Sequence, residues 1–117
     1  NSAKLENVKK IMQSIGFSVG ILHYIDIIHG DLTTSNMILK DGKIYFIDFG
    51  LGNFSKRLED KAVDLNLLSE ALKATYFKFL KIFWQNFLKG YKSEYKEVEK
   101  VLQQIEEIER RARYTRR

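Results

Sequence analysis

The 117-residue sequence contains no cysteine and no proline. Without cysteine the chain can form neither disulfides nor thiolate metal sites, and we therefore expect a reducing, cytoplasmic location. The sequence also lacks any apolar run near the roughly 20 residues that a membrane-spanning helix needs, and nothing resembles a cleavable signal. We expect no membrane contact. The length and the 44% hydrophobic content fit one globular domain with a single core.

Positive charge is concentrated at the carboxyl end. The formal net charge is +5, and the last eight residues hold five arginines and no acid, whereas the remainder of the chain is balanced. These arginines are Arg110, Arg111, Arg113, Arg116 and Arg117. A basic tail on a neutral body favours a polyanionic partner or an acidic protein groove, and the alternative is a solubilising helix end.

Helical periodicity dominates the sequence. Helices are expected at about 4–24, 60–74, 75–89 and 93–109, with the basic tail at 110–117. Gly16 and Gly20 lie four residues apart in the first helix, a spacing that permits close approach of another backbone. Gly90 fits a break between the last two helices. The predicted fold class is mainly α (α+β overall), with helices around one small hairpin.

The hairpin is expected at residues 37–48. Two apolar runs, 37–39 and 44–47, flank Asp41-Gly42, and such a dipeptide favours a tight turn in which both residues have positive φ. The hairpin would bring the polar residues that precede it, 29–36, close to those that follow it.

These polar residues match the spacing of a phosphoryl-transfer site. His29, Asp31 and Asn36 form the pattern H-x-D-x-x-x-x-N, and Asp48 begins Asp-Phe-Gly, as in protein kinases. Phosphoryl transfer requires positioning and neutralisation of phosphate charge. We predict that Asn36 and Asp48 are the magnesium ligands, and that Asp31 is the catalytic carboxylate that accepts a proton from the nucleophile.

Other residues are predicted to support the site. We expect His29 to be a packed structural residue, Phe49 to pack inward, and Gly50 to permit a sharp exit of the chain. Asp64, near a helix start, has two interpretations. It could simply suit the helix dipole, or it could be a buried anchor that accepts hydrogen bonds from the His-Gly-Asp backbone; we favour the anchor.

HGDLTTSN at 29–36, the following Ile-Asp-Phe-Gly-Leu-Gly and the segment 59–65 resemble the small atypical kinase of the KEOPS complex. The resemblance implies a protein-kinase-like C-lobe of a serine/threonine kinase/ATPase that uses ATP and Mg²⁺. It also implies a role in threonylcarbamoyladenosine (t6A) modification of tRNA. The implied partners are KEOPS subunits, chiefly the tRNA threonylcarbamoyl transferase-type ATPase, and tRNA bound through the basic tail. Because no glycine-rich loop or strand lysine is found, we expect the N-lobe to be absent and the isolated chain to be inactive.

Departures from ordinary protein kinases point the same way. Gly30 replaces the usual arginine, Thr33 replaces a lysine, and only 13 residues separate Gly50 from Asp64. Two alternatives remain. One is a RIO-like atypical kinase, although such kinases usually lack the glycine of Asp-Phe-Gly; the other is a non-catalytic module that docks a partner. Aminoglycoside-phosphotransferase-like proteins share His-Gly-Asp but usually have a much larger C-lobe.

Overall fold

The computed structural model describes residues 2–50 and 52–115. The mainly helical α+β class predicted from the sequence is confirmed. In chain order the elements are helix α1 (Ser2–Tyr24), strand β1 (Ile27–Ile28), a 3₁₀ turn (Thr34–Asn36), strands β2 (Met37–Lys40), β3 (Lys43–Phe46) and β4 (Asn53–Phe54), helix α2 (Leu58–Thr75), a second 3₁₀ turn (Phe77–Phe79), and helices α3 (Leu80–Glu94) and α4 (Val98–Thr115). Within the described residues, no helix has the length and apolarity to cross a membrane.

Helices α1 and α3 cross at very close range. A Cβ atom on Gly16 would lie 1.9 Å from the Phe87 carbonyl oxygen, and one on Gly90 would lie 2.0 Å from the Gln13 carbonyl oxygen. Only glycine fits at either position, as the spacing of small residues in α1 suggested. The predicted break at Gly90 is wrong, because α3 continues through it to Glu94. This glycine serves a helix crossing and not a helix end.

The core lies between these helices, α2 and α4, and it includes a residue of the polar loop. Leu32, directly after Asp31, is completely buried in the same apolar cluster as Val19, Leu65 and Phe87. Burial of a leucine side chain stabilises a fold by about 2 kcal/mol. The packing of Leu32 in the core therefore fixes loop 29–36 at the residue next to Asp31, the predicted catalytic carboxylate.

Strands β2 and β3 form the predicted antiparallel hairpin. Asp41 and Gly42 at its tip have φ values of +53° and +73°, as the Asp-Gly signal required. A second, unpredicted pairing joins β1 to β4, with Ile27 opposite Phe54 and Ile28 opposite Asn53. It brings the segment after Asp-Phe-Gly back to the strand that leads into His29.

The basic tail is largely helical. Helix α4 extends to Thr115, so Arg110, Arg111 and Arg113 lie on a continuous helix and not in a separate tail. Arg116 and Arg117 lie outside the described residues.

Candidate active site

Asp31 and Asn36 are joined directly. The Asn36 side-chain nitrogen donates to the Asp31 carbonyl oxygen at 2.8 Å and to Asp31 Oδ2 at 3.0 Å. These bonds orient the Asn36 amide, because its nitrogen is committed to Asp31 and its oxygen is left available for a ligand. The 3₁₀ turn at Thr34–Asn36 sets the spacing, since the Asn36 backbone nitrogen donates to the Thr33 carbonyl oxygen at 3.0 Å.

Asp48 is positioned by the hairpin. The backbone nitrogen of Ile47 donates to the Asn36 carbonyl oxygen at 2.9 Å, so the chain on either side of the hairpin is tied together at this point. Asp48 has a φ of +58°, a left-handed conformation that Asp tolerates better than most residues. Its exposed carboxylate makes no hydrogen bond or ion pair with another described residue, and it remains available to a ligand.

The donor set suits a magnesium ion that is shared with phosphate. No group of three His, Cys, Asp or Glu side chains in the described part of the chain could hold a metal by itself. Asn36 and Asp48 would supply two oxygen ligands, and phosphate oxygens and water would complete the octahedron that Mg²⁺ prefers. Such a partial site is the usual way in which proteins hold magnesium against nucleotide phosphates.

Asp64 lies buried directly beneath the loop. Its Oδ2 accepts a hydrogen bond from the His29 backbone nitrogen and its Oδ1 accepts one from the Gly30 backbone nitrogen, both at 2.9 Å. Gly30 has a φ of +93°, which favours glycine. This geometry corresponds to the anchor interpretation of Asp64.

His23 also contacts Asp64, a contact that the sequence did not predict. The completely buried imidazole places Nε2 2.9 Å from Asp64 Oδ2 and Nδ1 2.7 Å from the Tyr91 hydroxyl oxygen. Burial lowers the pKa of His23, although the hydrogen bond to Asp64 opposes the shift. The ring is therefore neutral, so Nε2–H donates to Asp64 and the Tyr91 hydroxyl donates to Nδ1. In the sequence, His23 follows Val19 by four residues in the apolar stripe of the first helix, and this position was the available indication that its side chain is buried.

His29 links the loop to the hairpin. The ring is buried; its Nε2–H donates to the Ile47 carbonyl oxygen at 2.8 Å, and its Nδ1 accepts from the Asp31 backbone nitrogen at 3.1 Å. The Phe49 ring lies against it, with centroids 4.3 Å apart, yet Phe49 is 40% exposed. The expected inward packing of Phe49 is therefore only partial. Both ring nitrogens of His29 are engaged within the protein, so neither is free for proton transfer.

The steric need for glycine after Asp48 falls on Gly52. A Cβ atom on Gly52 would lie 2.6 Å from the Ile28 carbonyl oxygen, because β4 passes close to β1 at this point. A Cβ atom on Gly50 would meet only Asp48 Oδ1, at the ordinary contact distance of 3.6 Å. The sequence pattern predicted a sharp exit of the chain at Gly50, and it gave no indication of the close contact at Gly52.

A buried ion pair holds the turn before β1. Lys61, which is almost completely buried, donates from Nζ to Asp26 Oδ1 at 2.8 Å and to the Tyr95 hydroxyl at 3.2 Å. Burial alone would lower the pKa of Lys61, but these hydrogen bonds outweigh it and raise the pKa. Asp26 has a φ of +64°, and its carbonyl oxygen accepts from the Ser55 backbone nitrogen at 2.8 Å. Lys61 thereby supports the turn from which both β1 and the start of the loop follow.

The described tail arginines differ in their contacts. Arg110 donates to Glu107 at 2.6 Å within α4, and Arg111 donates to Glu59 at the start of α2. Arg113 makes no ion pair or hydrogen bond with another described residue. Of these three, Arg113 is the most readily available to an external anion.

The amino-terminal part of the chain is similar to a known domain family. Residues 2–52, which carry α1 and all three predicted catalytic and metal-binding residues, match the sequence profile of the RIO domain. The match includes the loop and the hairpin and ends before helix α2 begins.

Individual curated relatives match a larger part of the chain. The chain is 45% identical over 97% of its length to the "KEOPS complex subunit Bud32" of Pyrococcus abyssi. It is also 47% identical over 86% and 94% of its length to "Probable bifunctional tRNA threonylcarbamoyladenosine biosynthesis protein" of Methanobrevibacter smithii and of Methanocaldococcus jannaschii. The chain is therefore a homologue of these proteins, and the resemblance to the KEOPS kinase is confirmed.

The chain corresponds to part of each relative. It spans 52% of the Pyrococcus protein, and 19% and 20% of the two bifunctional proteins. Similarity to these proteins runs along nearly the whole chain, whereas the RIO profile covers residues 2–52. The extent of these matches favours the KEOPS interpretation over a RIO-type protein kinase.

Proposed function

We propose that the chain provides the catalytic-loop half of a MgATP-dependent phosphoryl-transfer site, in an atypical serine/threonine kinase/ATPase that supports t6A modification of tRNA. The observation that carries the proposal is the link between the two sides of the hairpin. Asn36 binds Asp31 through its side chain and Ile47 through its carbonyl oxygen, next to Asp48. The backbone bond from Ile47 thus brings the residue before Asp48 next to the Asp31–Asn36 pair.

Each of these residues has a distinct role. Asp31 accepts a proton from the attacking hydroxyl group or water, and its orientation is maintained by Asn36. Asn36 and Asp48 provide oxygen ligands for Mg²⁺, which would neutralise charge on the phosphates. His29, Asp64 and the glycines support the loop and hold no reacting atom.

The segment after Asp48 supports a site without an ordinary activation loop. β4 pairs with β1, and the Ser55 backbone nitrogen donates to the Asp26 carbonyl oxygen. Gly30 stands where a kinase arginine would otherwise pair with a phosphorylated loop. A short and firmly held segment favours a specialised ATPase over a kinase that is switched on by phosphorylation.

The proposed partners follow from the relatives' names and from the tail. We propose that the complete protein assembles with KEOPS subunits, chiefly the threonylcarbamoyl transferase-type ATPase, in the cytoplasm. The α4 arginines, with Arg113 the most available, and Arg116 and Arg117 would contact tRNA phosphates. Salt-sensitive and sequence-independent affinity is the expected signature of such contacts.

The decisive experiment compares two aspartates of the hairpin. In the complete natural protein, assembled with its partner subunits, Asp48→Asn should lower tRNA-stimulated ATP hydrolysis at least about a hundredfold, because a metal ligand loses its charge. Asp41→Asn is the matched control, since Asp41 is also exposed and also has a positive φ, and it should leave the rate unchanged. Full activity of Asp48→Asn would instead identify a non-catalytic docking module.

A further inference from the structure

The segment between β4 and α2 exposes an aromatic residue beside two cations. Phe54 is 79% exposed, which makes it the most exposed large apolar side chain of the described residues. Lys56 and Arg57 follow it, and both are exposed. In the proposed site, this segment only pairs with β1 and the turn before it, and that pairing uses its backbone. It does not account for these three side chains.

An ion-pair bridge joins this segment to the carboxyl-terminal helix. Glu59 accepts a hydrogen bond from Arg57 at 2.8 Å through Oε2, and it accepts one from Arg111 through Oε1. The Arg57 and Arg111 side chains nevertheless remain 68% and 57% exposed. Each guanidinium has five N–H donors, so most donors of both arginines still face solvent. Two cationic groups from distant parts of the sequence are thereby held side by side.

A second exposed aromatic residue lies one helical turn beyond Arg111. Tyr114 is 61% exposed and three residues further along α4, which places it on the same side of the helix. The Arg110 guanidinium lies over its ring, 6.0 Å from the centroid. Each of the two segments that Glu59 connects therefore carries one exposed aromatic ring close in sequence to basic side chains.

The acidic groups nearby are satisfied within the protein. Asp60 accepts a hydrogen bond from the Ser55 hydroxyl at 2.6 Å, and Asp26 accepts one from Lys61 at 2.8 Å. The hydrogen bond from Lys61 lowers the pKa of Asp26, and the charge of Lys56 contributes to the shift. Glu59 is occupied by its two arginines. Because the Lys61–Asp26 pair is neutral overall, the cations Lys56, Arg57 and Arg111 exceed the acids Glu59 and Asp60 by one positive charge at this surface.

We infer that Phe54, Lys56, Arg57, Arg111 and Tyr114 form one surface that binds an unpaired stretch of RNA; here we call it the aromatic–basic surface. Basic groups contact the backbone of a single strand, and exposed rings stack on its bases. Duplex RNA or an acidic protein would use the cations but leave the two exposed rings without a function. The inference rests on the proposed function, which supplies RNA as the ligand. It extends the RNA contacts beyond the tail to the segment that follows Asp48.

The surface is held in place before any ligand arrives. β4 is paired with β1, and Gly52 lies against the Ile28 carbonyl oxygen. The backbone of Ser55 is tied to the turn that the Lys61–Asp26 pair maintains. A ligand would therefore order few protein groups on binding, which favours affinity.

Fluorescence anisotropy on the complete protein in its assembled complex tests the cations. The probe is a fluorescein-labelled, unmodified tRNA transcript. The double variant Lys56→Gln/Arg57→Gln should bind about tenfold more weakly, and the slope of log affinity against log salt should fall by about 1.4, since each single-strand phosphate contact contributes about 0.7. Lys81→Gln/Lys89→Gln removes the same charge from exposed positions of α3 and should leave both quantities unchanged.

Phe54 variants test whether the ligand is single-stranded. With a labelled single-stranded oligoribonucleotide, Phe54→Leu should weaken binding about tenfold, because leucine keeps the apolar surface but cannot stack, whereas Phe54→Trp should retain affinity. Binding of a duplex of equal length should not change with either variant.

Unchanged RNA affinity in both the charge and the leucine variants would overturn the inference. Weaker assembly with the partner subunits at unchanged RNA affinity would overturn it too, and would assign the surface to a protein. ATP hydrolysis in the presence of saturating tRNA is the separate readout of the proposed site. An equal rate in the wild-type and Asp48→Asn complexes would refute the phosphoryl-transfer proposal, while the anisotropy result would still decide whether RNA binds here.

Discussion

The residues beneath the catalytic loop and those at its rim differ in how completely they are bonded. Beneath the loop, His23, His29 and Asp64 are buried, and every buried side-chain nitrogen or oxygen in the described residues has a hydrogen-bond partner. At the rim, Asp48 is exposed and has no partner among the described residues. A buried carboxylate is costly without partners, whereas an exposed one costs little. The first group therefore determines the shape of the loop, and the second is available for a ligand.

The loop motif that begins at His29 thus contains two kinds of residue. His29 and Asp31 are two positions apart in the sequence, yet both nitrogens of the His29 ring are engaged within the protein, while one Asp31 carboxylate oxygen is bound by Asn36 and the other makes no described bond. Substitutions beneath the loop should mainly affect folding, and those at the rim should mainly affect catalysis. The following predictions test this separation.

The largest effect is expected for Asp64→Ala. The change leaves the His29 and Gly30 backbone nitrogens and the His23 ring without their acceptor in a buried position. The free energy of unfolding should fall by about 3–5 kcal/mol, measured by urea denaturation with circular dichroism. Glu70→Ala removes an exposed acid from the same helix and should change it by less than about 0.5 kcal/mol. A similarly small effect of Asp64→Ala would contradict the assigned supporting role.

Asp31→Asn should have the opposite profile. Asparagine retains an oxygen that can accept from Asn36 but loses the basic carboxylate, so ATP hydrolysis by the complete complex should fall about 10²–10⁴-fold. Urea denaturation should show a change in stability of no more than about 1 kcal/mol. If Asp31→Asn strongly lowered the stability, Asp31 would belong with the residues beneath the loop, and the separation between folding and catalytic residues would be contradicted.

Signals within short segments predicted part of this arrangement. Asp41-Gly42 predicted the hairpin because the turn itself requires those residues. The spacing of Asp31 and Asn36 is matched by a direct side-chain hydrogen bond, whereas the role of Asp48 as a third member of the site stays a prediction.

Features that depend on distant partners could not be predicted in the same way. Gly90 was interpreted as a helix end, since nothing in its neighbours shows that α1 crosses there. The pairing of β1 with β4 involves only two residues on each strand, too few for a periodic pattern. Nothing around Lys61 in the sequence indicates that its side chain is buried beside Asp26, which lies 35 residues earlier.

Asn36→Ala should give an intermediate result, because Asn36 belongs to both groups. Its carbonyl oxygen, which binds Ile47, is retained in the variant, but the side-chain bonds to Asp31 and one magnesium ligand are lost. We expect a loss of about 1 kcal/mol in stability and at least about a tenfold loss of ATP hydrolysis, partly restored by raised Mg²⁺. No dependence on magnesium would argue against Asn36 as a ligand.

The smallest effect concerns pH and His23. Because burial lowers the folded-state pKa below the ordinary value of 6.5, the unfolded chain binds more protons once the pH falls below 6.5. Stability should therefore be complete above pH 6.5 and decline by about 1.4 kcal/mol per pH unit below it, until the folded-state pKa is reached. His23→Gln should be less stable at pH 7.5, yet its stability should decline less steeply than that of the wild type as the pH falls below 6.5. His29 is present in both proteins and so cancels in the comparison. Parallel stability curves for the two proteins would show that His23 is protonated as readily in the fold as outside it, and the neutral hydrogen-bonded chain from Tyr91 through His23 to Asp64 would have to be abandoned.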